Sequence, residues 1–282
     1  VKGLLPVSFI VATLMLALAG CALFSPASTS EQDTSLMNWH QGFEQGTEGW
    51  YDGEDEGPWG WCGVIEAVEE RGGGPVDVAP SAGQGYALVS AGPCNDYWRE
   101  TLPGGAPYAP GPEGSLVSDE WPDGGYVTEL DVYLRPSWSE AYEGTLSQKR
   151  IIQLGATVFE RDFEIPDIHP FPHWIVTVDA VPDQQALDVF DHQIDEAGWY
   201  TFRFVFSEED GEVTAAFELR DRRGDVVTQV GELEPMKAQG MSMVPFEGEL
   251  PTDEYGSGHI WFMDIASGLR LPIDEHRVRP RR

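Results

Sequence analysis

The stretch that decides the fold is Gly198–Thr228, GWYTFRFVFSEEDGEVTAAFELRDRRGDVVT. From Tyr200 the apolar residues alternate: Tyr200, Phe202, Phe204 and Phe206 point one way, Thr201, Arg203 and Ser207 the other. Successive strand side chains project to opposite faces, so this is the period of a half-buried strand. The polar turn Glu208-Glu209-Asp210-Gly211 follows, and alternation resumes with Val213, Ala215, Phe217 and Leu219 inward against Thr214, Glu218 and Arg220 outward. Arg222-Arg223-Gly224-Asp225 turns the chain again into Val226-Val227. Two strands and the start of a third therefore make an antiparallel meander with one wet face.

Working outward, further strands fall at Gly85–Ser90, Tyr126–Leu134, Lys149–Val158, Trp174–Val178, Val189–Ile194, Gly258–Ile265 and Leu269–Ile273. In Tyr126–Leu134, Thr128, Leu130, Val132 and Leu134 share one face, and Glu129, Asp131 and Tyr133 the other. A Met/Glu segment, 232–249, reads as a place for a short helix. Otherwise no helix-period segment of any length follows Cys21, and no internal repeat or interdomain linker is evident. Short strands with turn signals between them predict an all-β fold, an antiparallel β-sandwich of jelly-roll type, as one domain over 38–276 with a basic tail at 277–282.

The charge excludes some partners. Seventeen Lys and Arg against 48 Asp and Glu leave a formal net charge of −31. Such a surface repels nucleic acid phosphates and anionic lipid head groups, so no nucleic-acid partner is expected. It reads first as a heavily solvated surface suited to a salty habitat, and alternatively as a collector of divalent cations such as Ca²⁺. Asp52, Glu54 and Asp55, on a Gly-rich loop, are the weak candidates for a Ca²⁺ site, although they lack the EF-hand spacing.

The N-terminal run places the protein. Lys2 precedes an apolar stretch, Val7–Ala19, which is short of the roughly 20 residues of a membrane span and matches a signal-peptide core. It ends in Leu18-Ala19-Gly20-Cys21, which resembles the lipobox of bacterial lipoproteins. The resemblance implies a signal peptide at 1–20, lipid attachment at Cys21, and a flexible Ser/Thr-rich tether over 21–37. It implies an exported protein held on a bacterial membrane. Ala22 after the cysteine resembles lipoproteins sent to the outer membrane of a double-membraned cell. Cys62 and Cys94 then remain, and an exported protein with two cysteines usually pairs them; two free buried thiols are the alternative. A bridge closing about 30 residues contributes roughly 3–4 kcal/mol in the chain-entropy account.

A second resemblance covers most of the mature chain. TEGWY, GYALVSAG, GGYVTELDVYLRPSW, RDFEI, AGWYTFRFVF, FELRDRRGDVV and YGSGHIWFMDI occur in an order similar to a group of secreted bacterial β-sandwich domains of concanavalin-lectin-like shape. The resemblance implies that fold and no particular activity. The segment around His169 and His173, and the long loop before Trp121, stand outside the pattern.

Three constellations bear on chemistry. Glu129 and Asp131 are two apart on one strand, with Cα atoms about 6.5–7 Å apart, a separation comparable to glycosidase carboxylate pairs. Glu129-Leu130-Asp131-Val132-Tyr133 resembles the Glu-x-Asp-x-x-Glu strand of laminarinase-like enzymes, but Leu134 stands where the second glutamate belongs. A catalytic role for the pair is therefore weak, and a solvated or ligand-contacting face is favoured. His169, with His173 and nearby Asp162 or Asp167, is a second weak candidate, as a metal ligand or lyase base. No nucleophile elbow, phosphate loop or dinucleotide fingerprint occurs in a strand–helix context. The third constellation is aromatic. Trp59, Trp61, Trp98 and Trp121 lie in Gly/Pro-rich loops, and Tyr133 lies on the wet face of its strand. Exposed rings stack on sugar faces while polar neighbours bond the hydroxyls, so these five are the expected glycan platform; the alternative is that the tryptophans plug the loops. Trp50, Trp138, Trp199 and Trp261 read as core. The expected function is thus a non-catalytic envelope module binding glycan, with a polysaccharide-active hydrolase or lyase, or a protein-interaction component, as the other readings.

Overall fold

A computed structural model describes residues 39–50, 63–68, 78–90, 104–105, 121–138, 150–160, 173–179, 190–239, 242–246, 250, 255–265 and 269–281. All of them belong to one unit, Thr34–Arg282. The strands form two sheets. The first runs, edge to edge, β11 (Val226–Val230), β10 (Glu212–Asp221), β9 (Gly198–Glu209), β5 (Tyr126–Leu134), β15 (Leu271–Pro280), β3 (Tyr86–Ser90) and β2 (Val64–Val68). Strand β1 (Trp39–Gln41) also pairs with β15. The second runs β13 (Ser242–Pro245), β12 (Met236–Gln239), β7 (His173–Asp179), β6 (Arg150–Glu160), β14 (Tyr255–Ile265) and β4 (Gly104–Gly105), with β8 (Phe190–Gln193) parallel to β7. The chain passes back and forth between the sheets, and among the described residues every pairing but β7–β8 is antiparallel. This is the expected all-β sandwich of jelly-roll type.

The founding hairpin follows its sequence closely. Phe202, Phe204, Phe206, Val213, Ala215, Phe217 and Leu219 are all buried in the core between the sheets. Strand β9 continues to Glu209, so the turn itself is the dipeptide Asp210-Gly211. Both residues have positive φ, 55° and 86°. That is the signature of a type I′ turn, whose twist matches the strands it joins.

Two expectations are corrected here. The 232–249 segment holds no helix among its described residues; β12 and β13 form a hairpin there. Alternation in Lys237-Ala238-Gln239 serves a short strand better than a helix face. The stretch after 276 is not a tail. Strand β15 runs through Pro280, pairing Arg277 with Glu129, Val278 with Thr128 and Arg279 with Val127. The strand is legible only once a bulge is allowed. Ile273 and Val278 both face the core although they stand five positions apart, an odd offset that simple alternation forbids. The register shifts between Asp274 and Arg277, and Glu275 takes φ 53°. The extra residue restores the phase, sending His276 and Val278 inward and Arg277 and Arg279 outward.

A second, smaller cluster lies on the outer face of the first sheet: Val78, Tyr86, Leu88 and Trp199, with Tyr133 packed against it. Val78 comes from a strap, 78–85, laid across that face. The strap is what turns a wet sheet surface into a walled site.

Candidate functional site

The outer face of the first sheet carries the polar residues that alternate with the core. Register places Tyr133 opposite Trp199, Asp131 opposite Thr201, and Glu129 opposite Arg203 on β5 and β9. Arg203 then faces Glu218 on β10, and Asp131 faces Asp274 on β15.

A cleft of about 490 Å³ opens at the end of this face. Tyr133 and the start of β9, Gly198–Tyr200, form its floor; Glu196-Ala197 and the β10–β11 turn, Asp221–Arg223, form one side; Val78 and Ala79 of the strap form the other. Each wall has a local cause. Trp199 is buried under the strap, and its Nε1–H donates to Ala79 O at 2.9 Å. Tyr133 meets Trp199 edge to face at 5.5 Å and carries the Arg135 guanidinium 5.2 Å from its ring centre. Such packing fixes the ring and enriches its polarity at once. Tyr200 donates its hydroxyl to Glu196 O, tying the entry of β9 to the rim. In the turn, Asp221 Oδ1 accepts from the Arg223 and Asp225 amides, while Oδ2 accepts from the Arg223 guanidinium. These bonds from Arg223 lead the causes that hold the Asp221 carboxyl below its ordinary range. Gly224 supplies the positive φ, 82°, that closes the turn.

The Glu129 and Asp131 pair is engaged elsewhere. Glu129 is buried between Arg203 and Arg279, at 3.4 and 3.2 Å. Asp131 accepts from the Thr201 hydroxyl at 2.6 Å and lies 2.7 Å from Ser81 Oγ of the strap. Its lone pairs serve the strap and β9 rather than an open substrate site. Burial pushes the Asp131 carboxyl up, against the hydrogen bonds from Thr201 and Ser81.

Among the ring residues expected to form a platform, Tyr133 lines the cleft. Trp121 is not among the residues that line it. It is half-buried against the main core, edge to face with Tyr126 at 5.5 Å, with its Nε1 buried and unpaired among the described residues. The chain turns at Pro122–Gly125 directly from it into the core strand β5. Trp59, Trp61 and Trp98, Cys21 with its expected lipidation, Cys62 and Cys94, the Asp52, Glu54 and Asp55 loop, and His169 all lie outside the described residues. Among the described residues there is no group of three His, Cys, Asp or Glu side chains placed to hold a metal ion, and no helix long and apolar enough to cross a membrane.

Sequence reasoning missed Trp199, taken for the main core, together with the turn residues Arg222 and Arg223 and the strap residue Ser81. Trp199 carried a usable signal: it falls on the opposite phase from Tyr200 and Phe202, so it belongs to the outer face. Nothing in the sequence marks Ser81, which reaches Asp274 across 193 positions.

Against known proteins, no family model matches the chain. No curated protein matches it either. Among solved structures, it is similar to peanut lectin with the 9mer peptide PVIWSSATG, at 9% identity and a TM-score of 0.32, over 77% of this chain and 96% of that one.

Proposed function

We propose that this chain is an exported, lipid-anchored envelope protein whose β-sandwich binds glycan in the Tyr133 cleft. The observation that carries the ligand reading is the composition of that cleft: a fixed aromatic floor with carboxylate, guanidinium and backbone groups converging on its rim. A concave site of this size with an apolar base and a few placed polar groups is the usual form of a small-ligand pocket. A pyranose offers a C–H face for the Tyr133 ring and hydroxyls for Glu196 and Arg222, both exposed at the rim. The anchor reading rests on Leu18-Ala19-Gly20-Cys21. With a net charge of −31, neutral glycans are the favoured class over polyanionic ones.

The test is to incubate the chain from Ala22 onward with a panel of neutral and acidic polysaccharides, with and without Ca²⁺, following retention and released reducing ends together. Retention without release, lost in Tyr133→Ala and Arg222→Ala, is the expected outcome. Retention unchanged in both variants refutes the cleft as the site. Release of reducing ends overturns the non-catalytic reading and directs mutation to Glu129, Asp131 and His169.

A further inference from the structure

The strap that walls the cleft is fastened by an arrangement with one proton too few. Ser81 Oγ lies 2.7 Å from Asp131 Oδ2 and 3.0 Å from Asp274 Oδ2. A serine hydroxyl has one proton and donates to one acceptor. The second contact is a hydrogen bond only when a carboxyl carries a proton of its own. Otherwise it sets a hydroxyl oxygen against an anionic one at bonding distance. The two aspartates are register partners on adjacent strands, so their charges are held close by the backbone itself. Asp274 is wholly buried. Its Oδ2 also accepts from the Ser81 and Ala82 amides, and its Oδ1 from Glu275 N, so it gathers the strap's backbone onto β15.

We propose that Asp131 and Asp274 share a single proton through Ser81, and that its loss to solvent unlatches the 78–82 strap and opens the adjoining wall of the cleft. The surroundings fit a proton held at the pair. Burial and the Glu129 charge oppose a second negative charge there; Arg277 acts the other way on Asp131, although its guanidinium is drawn onto Glu275, as that of Arg203 is onto Glu129 and Glu218. His40 is bonded to Glu275, and its ring is held below the ordinary histidine range by burial and by Arg277, so it adds no compensating cation near neutrality. At the far end of the strap, Glu44 accepts from the Gln84 and Gly85 amides. That end therefore stays fastened when the Ser81 end lets go, and the strap swings rather than detaches. Burial pushes the Asp274 carboxyl up to about 7 against the hydrogen bonds from the Ala82 and Ser81 amides and the Ser81 hydroxyl, and the like charge of Asp131 adds to the rise, so the release falls near neutral pH. Two carboxyls sharing one proton titrate as a unit, losing it in one macroscopic step well above the first.

The effect on ligand rests on the reading of the cleft; the proton and the strap do not. The experiment therefore reads the strap directly. In the full chain, amide hydrogen exchange at Ser81 and Ala82, corrected for intrinsic base catalysis, should rise at least about tenfold between pH 6 and 8.5. The Trp199 indole N–H, bonded to Ala79 O, should shift over the same range. Asp131→Asn supplies the missing proton permanently. Its Oδ1 accepts from Thr201, its amide donates to Ser81 Oγ, and the serine proton goes to Asp274. In that variant exchange should stay slow throughout. Flat exchange in the native chain, or the same rise in Asp131→Asn, overturns the proposal. Should the variant fail to fold, carbon-13 titration of the native carboxyls decides alone. One step near neutrality is expected, and both carboxyls ionising below pH 5 refutes the clamp. Glycan retention measured alongside separates the two ideas: a strap that releases in a protein blind to glycan leaves the clamp standing and removes only the ligand reading.

Discussion

Arg203 shows what the outward residues of the central strands do. Its guanidinium donates to Glu218 at 2.7 Å and lies 3.4 Å from Glu129, with its side chain 17% exposed. Glu218 also accepts from Arg220 at 2.9 Å. Partial burial alone would raise the Glu218 carboxyl, but the hydrogen bonds and charges of Arg220 and Arg203 outweigh it and hold the group below its ordinary value. Its contribution is therefore present above the unfolded carboxyl pKa and is lost as pH falls through the lowered folded value. Removing Arg203 leaves two carboxylates shielded from water and facing each other across β9. Arg203→Met should cost about 1–3 kcal/mol in urea denaturation, less than a fully buried pair because water still reaches the site. A midpoint unchanged from the native chain would mean that the ladder contributes nothing net.

At the scale of elements, two turns and a bulge set the registers. Gly125 opens β5 with φ 89°, and a Cβ there would stand 2.0 Å from Phe206 O of the neighbouring strand. Gly224 has nearly the same φ, 82°, but open space around it. The two glycines thus separate conformational strain from collision. Gly224→Ala should cost about 1–2 kcal/mol, the penalty of a left-handed L-residue. Gly125→Ala should cost about 4 kcal/mol or more, because β5 must leave β9 to admit the methyl. Equal losses in a denaturant titration would show that the close approach to Phe206 relaxes freely. The bulge at Glu275 belongs to the same class of device. It re-aims a strand so that His276 reaches Thr128 and the Trp39 and Trp50 rings inside, while Arg277 and Arg279 join the ladder outside.

For the whole molecule the governing quantity is the net charge of −31. Self-repulsion opposes the compact state and is screened by salt, with a Debye length falling from about 30 Å at 0.01 M to about 3 Å at 1 M. Tm should therefore climb with NaCl, by about 2–4 °C for each kcal/mol of repulsion removed. A Tm independent of salt would remove self-repulsion as a factor. The buried aspartates add a pH term of definite sign. Asp274 and Asp131 have raised values when folded, so their contribution is full below the unfolded carboxyl pKa and is lost as pH rises, for Asp274 through about 7. Glu218 limits the acid side. The Tm maximum should accordingly fall near the unfolded carboxyl pKa, at about pH 4–5, and move upward in pH in Asp131→Asn.

The sequence by itself determined the class of fold and the main core. Alternation in Tyr200–Leu219 and Tyr126–Leu134 can bury only one face, and a sheet with one apolar face must find a second sheet. It also determined the turns whose backbone demands particular residues, such as Asp210-Gly211. What it left open are features that alternation cannot encode. A bulge breaks the period by one residue, so Leu271–Pro280 read as a short strand and a tail, although its β5 partners were already legible. Outward residues carry no hydrophobic constraint, so which of them form a ladder, a clamp or a cleft depends on register between strands distant in sequence. Tyr133 was legible as an outward ring on the wet face of its strand; its neighbours in the cleft were not, because Trp199, Arg223 and Ala79 meet only across β5, β9, the β10–β11 turn and the strap. Glu129 and Asp131 read as a matched pair on one strand. Tertiary structure parted them, giving Glu129 to arginines and Asp131 to Ser81, since charges taken out of water bond to whatever donors the neighbouring strands present.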